Sequence, residues 1–370
     1  MANILVTGGA GFIGSFLVDG LIKKGHSVKI IDNLTEQVHH GKAPGYLNKE
    51  AEFVNADVND TEALYGGVKD SEIIFHQAAA VGVGQSMYEI LQYVKANTLG
   101  TANLLDILVN KKHNVKKVIV ASSMSAYGEG AYLTKTGERL RPSLRSTEQM
   151  EKGEWELKDP KNGEILKPVG VKESDNFFCN SIYAITKMDQ EEMTRAVCKA
   201  YGIPSVALRY FNVFGPRQSL SNPYTGVAAI FMSRLKNDKQ PIIYEDGLQS
   251  RDFVSVHDIV KANMLSMEKS AADNEVFNVG TGNPLSILEI SEVLARLHGK
   301  DIKADVTNKF RKGDVRHCFA DITKIKKKLG FEPSVSFEDG MKELAEWSRD
   351  AEAVDKFDEA AEELKKHKLI

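Results

Sequence analysis

Short apolar runs alternate with segments of helical periodicity over the first third of the chain. NILVTGG (3–9), SVKIIDN (27–33), AEFVNAD (51–57), EIIFHQAA (72–79) and KKVIVASS (116–123) are short, and most are rich in Val and Ile, as strands buried on both faces are. Between them, residues 12–24, 60–69 and 88–112 return apolar positions at helical spacing. This alternation predicts right-handed crossovers and an α/β fold built on a doubly wound parallel sheet, which binds ligands beyond the carboxyl ends of its strands. Past residue 215 the rhythm changes, and 222–247 and 284–347 become helix-rich with interspersed loops. The pattern predicts a larger domain at 1–215, with an insertion at 130–178 and completed by 251–280. A smaller mixed α/β domain is expected at 216–250 and 281–347, and a terminal helix at 348–370.

Composition narrows the partners. At 370 residues the chain is long for one core, which agrees with two domains. An apolar fraction of 42% and a charged fraction of 27% are ordinary for a globular protein. A net charge of −3 supplies no basic field, so nucleic acid is not expected as a partner. Cys179, Cys198 and Cys318 are odd in number and far apart, which argues against a disulfide framework or a metal site and fits a reducing cytoplasm. The N-terminus runs straight into a strand, and no apolar run reaches the ~18 residues of a membrane span. A cytoplasmic protein with no membrane partner is expected.

The chemistry begins at TGGAGFIG, residues 7–14, placed after a strand and opening a helix. Gly8 permits a tight turn, Gly11 lets the backbone approach a diphosphate, and Gly14 allows close helix–strand packing. Free amides of Phe12 and Ile13 at the helix start suit phosphate oxygens. The second strand ends in Asp32, at the distance expected of a carboxylate that binds ribose hydroxyls. Asn33 and Leu34 follow, with no arginine to neutralise a ribose phosphate, so the cofactor expected is NAD rather than NADP.

Downstream, Tyr183 and Lys187 in YAITK stand one helical turn apart on one face. A phenol titrates near ~10 in water, and an adjacent ammonium favours its ionised form. Such a pair can exchange a proton with a substrate hydroxyl near neutral pH. In isolation the spacing more often marks two helix-surface residues; behind a dinucleotide fold it points to hydride chemistry at an alcohol.

TGGAGFIG, Asp32, Asp57-Val58, HQAA (76–79), Asn97, SSMSAYG (122–128), YAITK, RYFNVFGP (209–216) and RDFVSVHDI (251–259) occur in order. Together they resemble the extended branch of the short-chain dehydrogenase/reductase superfamily, the nucleotide-sugar epimerases and dehydratases, over residues 1 to about 347. The resemblance implies Asp57 and Val58 at the adenine, Ala78 and Phe211 beside the cofactor, Asn97 near the ribose, and a triad of Ser123, Tyr183 and Lys187. It also implies Asn212 at the sugar or its phosphates, Arg251 and Arg311 clamping the diphosphate, and Arg217 as a weaker candidate. Guanidinium forks suit phosphate oxygens. Cys318 falls where such epimerases carry a residue bounding the sugar pocket, and a buried apolar cysteine is the alternative. By register, Ser123 takes the reacting position, with Ser122 and Ser125 beside it.

One departure separates the family's reactions. Dehydratases carry an acid pair just after this serine, and decarboxylases keep a glutamate in the stretch; here stand Met124 and Ser125. Neither protonates a leaving hydroxyl, so oxidation, rotation and re-reduction at carbon 4 is the expected reaction. AAAVGVGQSMYEI (78–90), ASSMSAYGEG (121–130) and NPYTGVAAIFMSRL (222–235) resemble the dTDP-L-rhamnose 4-epimerases, which form dTDP-6-deoxy-L-talose. The alternative is a 4-epimerase of UDP-glucose/UDP-galactose or UDP-N-acetylhexosamines. A keto-sugar reductase and a non-catalytic NAD-binding protein are more distant readings. The insertion 130–178 is longer than most relatives carry, and a lid over the sugar and a partner-facing element are equal readings of it. Its WELKDPKNG core resembles a ribbon that bears paired cysteines in some relatives; none is present, so no metal is expected. The tail 350–370 reads as a charge-laced amphipathic helix on the surface. Apolar faces at 91–109 and 184–200 suit a homodimer of the kind the extended family forms.

Overall fold

The computed structural model describes residues 1–351 and 353–369. Seven parallel strands form the main sheet: β1 (Asn3–Thr7), β2 (Ser27–Asp32), β3 (Glu52–Asn55), β4 (Ile73–His76), β5 (Lys117–Ser123), β6 (Ser205–Tyr210) and β7 (Glu275–Val279). Their order is β7-β6-β5-β4-β1-β2-β3. The chain runs outward from β1 to β3 and then returns to β4 on the other side of β1. That reversal opens a crevice at the carboxyl ends of β1 and β4.

Helices cover both faces, as strands buried on two sides require. Val118, Ile119 and Val120 of β5 are completely inaccessible, and each such burial stabilises by about 1.5–3 kcal/mol. One core cluster joins Ile4, Val6, Ile30 and Ile119 to Leu17 and Leu21 of the helix Phe12–Lys23. The other joins Leu5, Ile74 and Val118 to Leu104 and Leu108 of the helix Gly100–Asn110.

All five strands anticipated in the first third are present, trimmed at their ends. The segment 88–112 is not one regular helix. It runs as Ile90–Tyr93, a π-helical turn Val94–Leu99, and then Gly100–Asn110. Hydrophobic spacing does not register a turn widened by one residue, and such turns occur often at functional sites.

Past β6 the chain builds a second layer. Asn212–Phe214, Ser250–Ser255, Pro284–Ser286 and His317–Cys318 form a mixed sheet. A separate apolar cluster joins the helices Val227–Lys236, Ile287–Leu297 and Phe337–Ser348.

The insertion forms a three-stranded ribbon of Ala131–Leu133, Arg139–Leu140 and Lys167–Val169. It is fastened by buried ion pairs: Arg145 grips Glu245 at 2.8 Å, and the fully buried Arg316 binds Glu156, Glu245 and Asp246. No residue from 129 to 179 lines the large cavity, so the lid reading of this segment is corrected. Arg145 and Glu156 face the second layer, while Lys135, Arg139, Lys152, Lys158 and Lys161 pair within the insertion itself.

The tail helix spans Phe357–Lys366 within the anticipated 350–370, of which residues 352 and 370 lie outside the described residues. Among the described residues, no helix is long and apolar enough to cross a membrane.

Candidate active site

The glycine turn has almost no room for side chains. Gly8 sits at φ +71°, and a Cβ there would lie 2.7 Å from the Ala78 nitrogen. A Cβ on Gly14 would lie 2.1 Å from the Gly8 carbonyl oxygen. No side chain caps the helix that begins at Phe12, so its first amides remain free for an anion. Asp32, at the end of β2, accepts from the Ala10 amide at 3.1 Å and the Leu34 amide at 2.9 Å, which fixes its carboxylate at the rim. Asn33 donates to Asp57 at 2.7 Å and ties the ends of two neighbouring strands. Gly8, Gly11, Phe12, Ile13, Gly14, Asp32, Asn33, Asp57, Val58, Ala78 and Phe211 all line one cavity of about 1150 Å³. Its glycine cradle, free amides and carboxylate at the strand end fit a dinucleotide.

Ser123, Tyr183 and Lys187 face the same cavity. Ser123 ends β5, while Tyr183 and Lys187 lie in the first two turns of the helix Ile182–Ala200, which Ser181 caps through the Ala184 amide. Three adjacent serines have different partners. Ser122 donates to the buried Glu191 at 2.6 Å. Ser125 donates to Ser123 Oγ from its backbone at 3.2 Å and its hydroxyl at 2.9 Å. Ser123 therefore accepts twice, and its own proton is directed elsewhere. Burial pushes the Tyr183 phenol up to about 12, with a hydrogen bond to Ser123 pulling the other way. Burial alone draws Lys187 down to about 7. Both shifts favour the uncharged forms and come from burial, not from the other member of the pair, so the lowering of the phenol by the ammonium expected from the sequence is not seen here.

Sequence reasoning missed the groups that hold Lys187. Its Nζ donates to the Ala121 carbonyl at 2.9 Å and to Gln190 Oε1 at 2.8 Å. The Gln190 amide donates to Thr101 Oγ1 at 3.0 Å, and Thr101 donates to the Asn97 carbonyl at 2.7 Å. His76 Nε2 stands 2.9 Å from Thr101 and Nδ1 2.8 Å from Thr7. Since the Thr101 proton is committed to Asn97, His76 carries its proton on Nε2 and accepts from Thr7. Burial, with Lys187 nearby, lowers His76 to about 3 and keeps it neutral. The available signal was positional: Gln190 lies three residues after Lys187 on the same helix face. Ser86 was missed too; its hydroxyl receives the Tyr183 amide at 3.0 Å.

Three residues expected at the ligand lie elsewhere. Asn97, turned inward by the π-helical turn, spends its side chain on the Ala80 backbone and on Thr186. It holds the loop after β4 and does not line the cavity. Arg217, at φ +66°, turns back to Asp19 at 2.8 Å and stacks on Phe16 and Tyr46. Cys318 is 1% exposed, paired in register with Arg251 and packed in the main core, so it bounds no pocket.

Asn212, Arg251 and Arg311 do line the cavity. Arg251 is held by the carbonyls of Ser250, Val315 and Arg316. Arg311 pairs with Asp314 at 2.9 Å and lies over the Tyr244 ring. Asn212, Gln218 and Gln249 each carry a buried side-chain carbonyl oxygen without a hydrogen-bond partner, and all three line the cavity. Orphaned acceptors of this kind cost about 1–3 kcal/mol unless a ligand supplies donors. The tail also lines it, through Phe357, Ala360, Ala361, Leu364 and Leu369. This corrects the surface helix expected from the sequence: its apolar face closes over the cavity.

Residues 4–148 match the family model described as NAD dependent epimerase/dehydratase family, and residues 163–344 match that of GDP-mannose 4,6 dehydratase. The dTDP-L-rhamnose 4-epimerase of Burkholderia thailandensis is 37% identical over 349 residues, covering 93% of this chain and 94% of its own. The UDP-glucose 4-epimerase of Thermotoga maritima, solved with UDP-glucose, is 35% identical with a TM-score of 0.76, over 94% of this chain and 98% of its own. The UDP-glucuronic acid 4-epimerase of Bacillus cereus, solved with UDP-glucuronic acid and NAD, is 28% identical with a TM-score of 0.77, over 94% and 99%. The chain belongs to the NAD dependent epimerase/dehydratase family, among its nucleotide-sugar 4-epimerases.

Proposed function

We propose that the chain interconverts dTDP-L-rhamnose and dTDP-6-deoxy-L-talose. NAD, when bound, supplies reversible two-electron chemistry at the sugar carbon. Tyr183 takes the proton from the C4 hydroxyl, and Lys187 stabilises the phenolate with its charge. Ser123, its lone pairs engaged by Ser125, donates to the reacting oxygen. Asn212, Gln218 and Gln249 accept from substrate hydroxyls or base N–H groups, and Arg251 and Arg311 face the diphosphate. Asp32 receives the adenine ribose.

The observation that carries epimerisation over elimination is the pair Met124 and Ser125 beside Ser123, where an eliminating enzyme needs an acid. The GDP-mannose 4,6 dehydratase match does not oppose this. It begins at residue 163, beyond these positions. Similarity to the Burkholderia thailandensis enzyme supports the choice of sugar. The Thermotoga maritima structure favours a second reading, UDP-glucose/UDP-galactose 4-epimerisation. Because Cys318 is packed in the core, the N-acetylhexosamine variant loses the enlarged pocket that suggested it.

Separate incubation with dTDP-L-rhamnose, UDP-galactose and UDP-N-acetylglucosamine, followed by NMR, tests the assignment. A talo product from the first supports it, and turnover of UDP-galactose alone overturns it. We also infer a homodimer. Ile90, Leu91, Val94 and Leu99 on one helical run and Ile185 on another leave apolar side chains exposed, and light scattering reports the mass.

A further inference from the structure

The tail helix puts its apolar face to unusual use. Ala360 and Leu364 are buried, yet no residue of Phe357–Lys366 joins any hydrophobic core cluster. The face that an amphipathic helix ordinarily packs on a core is turned to the cavity instead. Its anchors lie on three segments of the rim. Arg234 reaches Asp355 and Asp358 and covers the Phe357 ring. Tyr88 stacks flat on His367 at 4.6 Å while its hydroxyl meets that of Tyr224 at 2.5 Å. The Lys312 amide, next to Arg311, donates to the Leu369 carbonyl at 3.3 Å. Between these anchors Leu364 covers Gly84, where an added Cβ would lie 3.1 Å from the leucine. Gly84 is two residues from Ser86, which holds the Tyr183 amide.

We propose that the segment 357–369 is part of the substrate site. Leu364 and Leu369 are specificity-determining side chains that close over a bound nucleotide sugar, Leu364 at the sugar end beside the Gly84–Ser86 loop and Leu369 beside Arg311, and retain the keto sugar between half-reactions. The proposal rests on the epimerase reading above. In the first half-reaction the electron pair of the C4–H bond leaves with its hydrogen to the bound dinucleotide, and the hydroxyl proton goes to Tyr183. The keto sugar is then held by no covalent bond, although the second half-reaction returns the same pair to it. An apolar wall with few anchors retains this species by contact and releases the epimer when it lifts.

The test compares the full chain with a truncation after Lys356, which keeps Asp355, and with the double variant Leu364→Ala/Leu369→Ala. KM for dTDP-L-rhamnose and for UDP-glucose is expected to rise about tenfold in both, the equivalent of ~1.4 kcal/mol. Absorbance at 340 nm should grow during turnover as keto sugar escapes. Unchanged KM and no such growth in the double variant, at unaltered melting temperature, overturn the proposal, whatever the folding of the truncation. A second readout is independent of turnover. In full-length Tyr183→Phe, the same nucleotide sugars should protect the tail from protease, while dTDP or UDP alone should protect it less. Equal cleavage with and without nucleotide sugar also overturns it. Absence of epimerisation by the full chain, with tail protection intact, defeats the epimerase reading but not the contact.

Discussion

Replacing Gln190 with leucine should move the alkaline limb of the pH–rate profile downward. Gln190 and Lys187 are both buried, and Gln190 Oε1 is one of two protein acceptors for the Lys187 ammonium, the other being the Ala121 carbonyl. A hydrogen bond from an ionised donor contributes about 1.5–3 kcal/mol, and one pKa unit corresponds to about 1.4 kcal/mol. Its loss should lower the pKa of Lys187 by roughly 1–2 units. The sign follows from which form gains the bond: the acceptor stabilises the protonated amine, so without it the proton leaves at lower pH. Once Lys187 is neutral, Tyr183 loses the charge that makes it a base, and kcat/KM falls. Gln190→Glu should shift the limb the other way, since a carboxylate at this distance favours the ammonium. The other titratable groups packed here are Tyr183 on the same helix and the neutral His76 at the end of β4. Asp189 and Glu191 are spent on Thr98 and on Ser122 with Arg209. The assay is kcat/KM for epimerisation from about pH 4.5 to 10, a window that spans a limb moved below the Lys187 value of about 7, with NAD content and melting temperature as controls. A limb that stays put in both variants, or moves the same way in both, refutes the role.

Tyr183→Phe should abolish epimerisation while retaining NAD, measured by the absorbance of nucleotide released on denaturation; full activity would sink the mechanism. Asp32→Ala should weaken NAD and relax discrimination against NADP, because both carboxylate oxygens face the rim between β2 and the glycine turn; titration of each cofactor checks this, and an unchanged preference contradicts the ribose role. Gly14→Ala puts a methyl 2.1 Å from the Gly8 carbonyl oxygen, a clash with backbone that cannot be relieved by a rotamer. The purified variant should carry little NAD, and full occupancy would contradict the packing argument. Arg145→Met should destabilise the protein by about 1.5–3 kcal/mol, since Glu245 loses both hydrogen bonds from Arg145 and keeps only that from Arg316; denaturant titration that finds under ~1 kcal/mol would show the knot to be solvated instead.

What the sequence disclosed and what it concealed divide by the range of the interaction. The strands β1 to β5 were legible because each is a short contiguous run, Val- and Ile-rich in all but β3, and the glycine turn because its three constraints lie within eight residues. Tyr183 and Lys187 were legible because four residues on a helix is a fixed geometry. The roles denied to Arg217 and Cys318 were set by partners far along the chain. Arg217 answers to Asp19, 198 residues away, and Cys318 to the Gly130 and Arg251 segments. The insertion is similar: Arg145 and Glu245 are 100 residues apart, and Glu156 and Arg316 are 160 apart, so local spacing carries no sign of these pairs. Asn97 failed for a different reason, a turn geometry that leaves no compositional trace. The tail shows why amphipathicity alone underdetermines function. The pattern fixes that one face is apolar but not what that face meets, and here it meets the cavity where the chemistry is proposed to occur. A helix that covers a cavity rather than a core is held by the contents of that cavity as well as by its own contacts. Its stability should therefore depend on ligand in a way that of Gly100–Asn110, packed in the core, does not.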